Sequence, residues 1–153
     1  MIPSFQFDEI VTAESTRSAR LKWVVIVDET VPVGRMVNAV ACIAAATGDM
    51  VDGLIAHGGP DADGVQHPGL PWAGCSVLTA SAEQLANVRR KAAEVPDILV
   101  VDMPVAAQTN RVYDEYLAEL TTIRTADVAA IALSLIGPRD EIDAIVKRLS
   151  LLA

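Results

Sequence analysis

The sequence predicts a three-layer α/β/α domain with a four- to five-stranded, mostly parallel (mixed) sheet. Three observations predict it: short β-branched apolar runs, stretches of helical period between them, and capping or breaking residues at the junctions. Hydrophobic residues fill 52% of the 153 positions and charged residues 21%, which suits a buried core rather than disorder. A chain of this length fits one domain and buries roughly 68–70% of its unfolded surface.

Residues 1–20 are mixed in pattern and read as an N-terminal arm, with Phe5 and Phe7 alternating as in a short strand. Residues 21–153 read as the single α/β domain. Leu21 to Val27 is almost wholly apolar and β-branched, as a central strand covered on both faces should be. Asp28, Glu29, Thr30 and Pro32 break it. A helix is expected from Gly34 to Thr47, stopped by Gly48-Asp49. Its interior is apolar nearly all round, so it should be deeply buried or lie against a second subunit, and a homodimer is the expected assembly. Val51 to Gly74 is dominated by turn formers, with room for one short strand near Gly53 to Ala56; loops of this length are often functional.

Cys75 to Thr79 is the next strand. Ser81-Ala82-Glu83-Gln84 has the form of a capping box, opening a helix that buries Leu85, Val88 and Ala92. Ile98 to Val101 is a short strand closed by Asp102-Met103-Pro104. Tyr113, Tyr116, Leu117 and Leu120 mark an amphipathic helix from about Asn110 to Thr121. Val128 to Ile136 is the last central strand, and Gly137-Pro138 with Asp140 and Glu141 starts a final helix. Alternation of this kind argues for parallel neighbours, because a crossover helix returns the chain to the edge it left. Cys42 in the apolar helix and Cys75 at a strand start read as buried thiols.

Net charge is −8, from 20 acidic and 12 basic residues, which argues against a nucleic-acid partner. The one basic run, Arg89-Arg90-Lys91, reads as a solvated helix face. The longest apolar stretch, Met36 to Thr47, is far short of the roughly 20 residues that span a bilayer. Met1 to Ile10 has no signal peptide's basic start. The expectation is a cytoplasmic protein with no membrane partner. No phosphate loop, dinucleotide fingerprint or nucleophile elbow occurs, so no cofactor is expected.

Ligands of open α/β sheets bind beyond the carboxyl ends of the strands, where Asp28 and Asp102 are expected. Gly34-Arg35 opens the first helix and Asn38 follows one turn on. A cation near a helix N-terminus is unfavourable by roughly 0.3–1 kcal/mol. Arg35 therefore calls for an acidic neighbour, Asp28 or Asp102, or for an anionic ligand. The candidate ligand-binding set is Gly34, Arg35, Asn38 and Asp102, with Gln108 and Thr109 from the following loop; the competing reading is a structural ion pair with turn caps. His57, Asp61, Asp63 and His67 are weak metal candidates. Counted from Asp61, the EF-hand glycine and glutamate positions hold Gln66 and Trp72, so a plain turn is the better reading.

Three features recur in order: Trp23 to Val27 leading through Pro32-Val33-Gly34 into a small-residue helix, Asp61-Ala62-Asp63-Gly64, and a strand-Gly-Pro-helix ending at Ala132 to Pro138. In these the chain resembles the family of domains of unknown function numbered 2000, over roughly Leu21 to Leu152. That family's fold is similar to type II peptidyl-tRNA hydrolase, so the resemblance implies a hydrolase II-like fold. It also implies a degenerate site. The position of the hydrolases' catalytic lysine is Val37 and that of their glutamine is Ala41. Their aspartate is retained as Asp102, a candidate catalytic residue, and the threonine after it is lost. The leading expectation is a protein that binds a small polar or anionic ligand. The alternatives are a peptidyl- or aminoacyl-tRNA ester hydrolase, with Arg35 acting electrostatically, and a structural homodimer without ligand.

Overall fold

In the computed structural model, which describes residues 1–153, Leu21–Asp28 forms β1 at the centre of a five-stranded sheet. Its companions are β4 (Ser76–Ala80), β5 (Leu99–Pro104), β6 (Ala130–Pro138) and β7 (Ser150–Leu151), in the order β5-β6-β1-β4-β7. Two further short strands, β2 (Gly59–Pro60) and β3 (Gln66–His67), form a separate hairpin. Helices α1 (Val33–Met50), α2 (Ala82–Ala93), α3 (Val105–Thr109), α4 (Tyr113–Leu120) and α5 (Arg139–Val146) complete the fold.

The sheet corrects one expectation: it is mostly antiparallel. Only β1 and β4 are parallel neighbours; β6 runs against both β1 and β5, and β7 against β4. The cause lies between β5 and β6. A parallel return needs a crossover of a dozen or more residues laid across the sheet. Here α3 and α4 are short and pack on each other, so the chain turns back as a wide hairpin and β6 inserts beside β5.

Two apolar layers hold the sheet. Side chains alternate along a strand, so Trp23, Val25 and Val27 face α1, where they meet Met36, Ala39 and Ile43. Val24 and Ile26 face the other way, against Leu85 and Val88 of α2 and Ile142 and Val146 of α5. β6 divides likewise, with Ala132 and Ile136 toward α1 and Leu133 and Leu135 toward α2 and α5.

Between β1, β6 and α1 runs a buried polar chain. Trp23 Nε1 donates to Ser134 Oγ at 2.8 Å, and Ser134 Oγ lies 2.7 Å from Thr47 Oγ1. Thr47 donates to the Ile43 carbonyl at 2.7 Å, so the Ser134 hydroxyl must donate to Thr47. All members are thereby satisfied. The chain also anchors the last turns of α1, which continues past Gly48 to Met50; the reversal waits for Gly53, whose φ is +76°.

The structure leaves α1 more open than its composition suggests. Only Met36, Ala39, Ile43 and Thr47 are buried, while Val33 and Val37 are 71% and 60% exposed. Cys42 is exposed rather than buried; Cys75 is exposed as a residue, yet its thiol is desolvated enough to be pushed up to about 11. The 51–74 segment is a folded excursion. Ala56 N donates to Leu70 O and Trp72 N to Leu54 O, extending the β2/β3 hairpin toward the core.

Residues 1–20 pack as two turns of 3-10 helix and connecting chain, with no strand, and Phe7 is exposed. Phe5 is buried against Trp72, with ring centroids 4.8 Å apart. Arg20 grips Glu9 through Nε and Nη2, and Nη2 also donates to Ser4 O. That fork, with the Gln6 amide, holds the Glu9 carboxyl well below the usual carboxylate range, at about 2. A depressed carboxyl stabilises the fold above its unfolded value and loses that contribution as it takes up a proton. The arm is therefore expected to loosen as pH falls from 4.5 towards 2. Hydrogen exchange at Phe5, whose amide donates to Asp52 O, should accelerate over that window in wild type and already at neutral pH in Arg20→Gln.

Candidate functional site

At the carboxyl end of β1, Asp28 is buried and its Oδ1 accepts from Thr30 N at 2.9 Å and Thr30 Oγ1 at 2.7 Å. This local turn releases the chain into Pro32, which precedes the first turn of α1. Glu29 N donates to Ala80 O, so the ends of β1 and β4 are held together. Here the sheet end opens into a cleft of about 370 Å³. Asp28, Asp127, Arg35 and Arg89 supply its charges; Val31, Leu85, Val105 and Ile131 supply much of its apolar wall.

Three of the expected ligand-binding residues come together. Arg35 Nε donates to Gln108 Oε1 at 3.0 Å, and Gln108 Nε2 donates to Arg35 O at 2.8 Å and to Asn38 Oδ1 at 3.0 Å. A guanidinium can only donate, which fixes the orientation of the Gln108 amide. α3 thus clamps the first turns of α1. No carboxylate lies within 4.0 Å of Arg35, and its terminal guanidinium nitrogens have no protein partner. The expected acidic neighbour is not there: Asp28 shares the cleft without pairing with Arg35.

Asp102 is not brought to Arg35. β5 runs on to Pro104, so Asp102 lies within the strand, with Val101 and Met103 on the α1 side and its own side chain toward α2. There Asp102 Oδ2 accepts from Arg89 Nε at 2.6 Å, while Arg89 Nη1 donates to Thr125 O at 3.0 Å. Asp102 reaches the cleft only through Arg89, which it positions. Thr109 turns its hydroxyl back to Val105 O and Ala106 O, and Gly34 is exposed with nothing within 4 Å of where a Cβ would stand. Neither joins the cluster.

The metal candidates are also separate. Asp61 Oδ1 accepts from the Asp63 and Val65 amides and Oδ2 lies 3.1 Å from His67 Nε2, bonds that lower its pKa, His67 most. His57 contacts only the neighbouring Gly58 carbonyl. Nowhere do three His, Cys, Asp or Glu side chains come together as a metal would need. The segment is turn architecture.

Arg89 is the cleft residue that reading the basic run as solvated surface missed. Consecutive helical residues point about 100° apart. Arg89, four residues after buried Leu85, reaches the sheet end; Arg90 turns outward to Asn87 and Glu94.

Among known proteins, residues 21–153 match a family described as "Protein of unknown function (DUF2000)". A solved structure of a protein of unknown function, Atu0240 from Agrobacterium tumefaciens strain C58, is similar with a TM-score of 0.75 and 19% identity. The match covers 88% of this chain and 98% of that one. At that identity the likeness shows the fold. No curated protein matches. No helix is long and apolar enough to cross a membrane.

Proposed function

The chain belongs to the DUF2000 family of proteins of unknown function, and from that premise we propose that it binds a small anionic ligand in the cleft at the end of β1. The observation that carries this reading is Arg35: a guanidinium at a helix N-terminus, clamped by Gln108, with free donors and no carboxylate partner. Arg89, its charge paired with Asp102, stands across the same cleft as a second guanidinium. The apolar walls call for a ligand with one carboxylate or phosphate head and a hydrophobic body, taken up by a cytoplasmic protein.

A thermal-shift screen of small carboxylates and phosphate esters tests it. A true ligand at a hundred times its Kd stabilises by about 2.7 kcal/mol, a rise in Tm of roughly 5–11 °C for a domain of this size. Arg35→Ala should lose most of that rise. If wild type and Arg35→Ala respond alike to every hit, the cleft is not the site.

Kinship of the fold to type II peptidyl-tRNA hydrolase belongs to this proposal, supported by the shared order of motifs from Trp23 to Pro138. Ester hydrolysis is the weaker part of it. Val37 replaces the lysine, and Asp102 is spent on Arg89. A second reading, a homodimer through α1, is favoured by the exposed Val33 and Val37 on a helix whose stretch from Met36 to Gly48 carries no charge. On a chain of net charge −8, such a face lets a second copy approach without like-charge repulsion. Sedimentation of wild type and Val37→Glu decides it: a wild-type monomer removes the reading.

A further inference from the structure

We propose that the groove between α2 and α5, apart from the Arg35 cleft, binds the di- or triphosphate group of a small molecule. The groove encloses about 310 Å³. Gln84, Asn87 and Lys91 of α2 line one side and Lys147 and Arg148, just after α5, the other, over an apolar floor that includes Val88. No carboxylate lines it, and none of its three cations is paired with one anywhere.

The two amides complete the pattern. Gln84 Oε1 accepts from Ser81 N at 2.9 Å in the capping box, and Asn87 Oδ1 accepts from Arg90 Nη2 at 2.9 Å. A backbone N–H and a guanidinium donate only, which orients both amides with their oxygens toward those donors and leaves their NH2 groups without a partner. Every polar side chain lining the groove then has an unpartnered donor to offer. Such a surface suits an oxyanion, and three cations suit one carrying more than a single charge.

Folding alone does not explain this arrangement. Lys91 in the last turn of α2 and Lys147 after α5 each offset a helix dipole. That accounts for single cations, yet not for Arg148 beside them. Nor does it account for a concave surface without one of the chain's 20 acidic residues. Three like charges around one groove repel one another, and an anion would relieve that repulsion.

The test is a titration of the full chain with inorganic pyrophosphate, followed by backbone amide NMR shifts. Saturable shifts are expected at Gln84 to Lys91 and Ala144 to Leu149. Lys91→Gln/Arg148→Gln should weaken binding at least about tenfold, while Arg35→Ala leaves it unchanged. Orthophosphate should bind more weakly than pyrophosphate. Shifts that fail to saturate by about 10 mM, that centre on the Arg35 cleft, or that survive the double variant would overturn the assignment. Because Arg35→Ala is silent here, this proposal and the ligand cleft fail independently.

Discussion

Replacing Ser134 by alanine is expected to destabilise the fold by about 2–4 kcal/mol, out of proportion to the single oxygen removed. Ser134 is the middle of the directed chain Trp23–Ser134–Thr47–Ile43, and all three side chains are buried. Its loss strands the Trp23 N–H in an apolar layer and leaves the Thr47 oxygen without its donor. A buried donor left unpaired costs about 1–3 kcal/mol, whereas removing both partners costs far less. For a domain of this size Tm should fall by roughly 5–15 °C. In a double-mutant cycle, Trp23→Phe/Ser134→Ala should be less destabilised than the sum of its single variants. Strict additivity would mean that the chain is not energetically coupled.

Gly69→Ala is expected to open the 51–74 excursion. A Cβ at Gly69 would stand 1.7 Å from Ala56 O, and one at Gly58 would stand 2.0 Å from His67 O. Neither glycine has a positive φ, so the requirement is space rather than torsion. The backbone must part, and the bonds Ala56 N to Leu70 O and Trp72 N to Leu54 O are the first to strain. Overpacking of this kind costs about 1–3 kcal/mol. Trp72 donates to Gly53 O at 2.8 Å and carries Phe5, so the N-terminal arm should loosen with it. The expected signs are red-shifted tryptophan emission and new protease cleavage between residues 54 and 72. Wild-type emission and protease resistance would contradict the close approach.

Much of the fold was legible because period and punctuation are local properties. The apolar run from Leu21 predicted β1, and the Ser81 capping box predicted α2. Strand direction was not legible. It depends on whether residues 105–120 lie across the sheet or fold on themselves, and helical periodicity alone does not distinguish these. The site was half legible. A cation at a helix start led to Arg35, and Asn38 and Gln108 do meet it. Asp102 was misplaced because β5 runs several residues past the apolar segment, and strand alternation then turns its side chain toward α2. Arg89 was overlooked because three adjacent cations look alike in a sequence, although a helix sends them to three different neighbourhoods.

The most direct measurement is a crystal structure with the strongest anionic hit of the screen. The account predicts its charged head within hydrogen-bonding distance of the free guanidinium nitrogens of Arg35, near Arg89, with its apolar part against Val31 and Ile131. A ligand bound elsewhere, with the β1-end cleft empty, would contradict it.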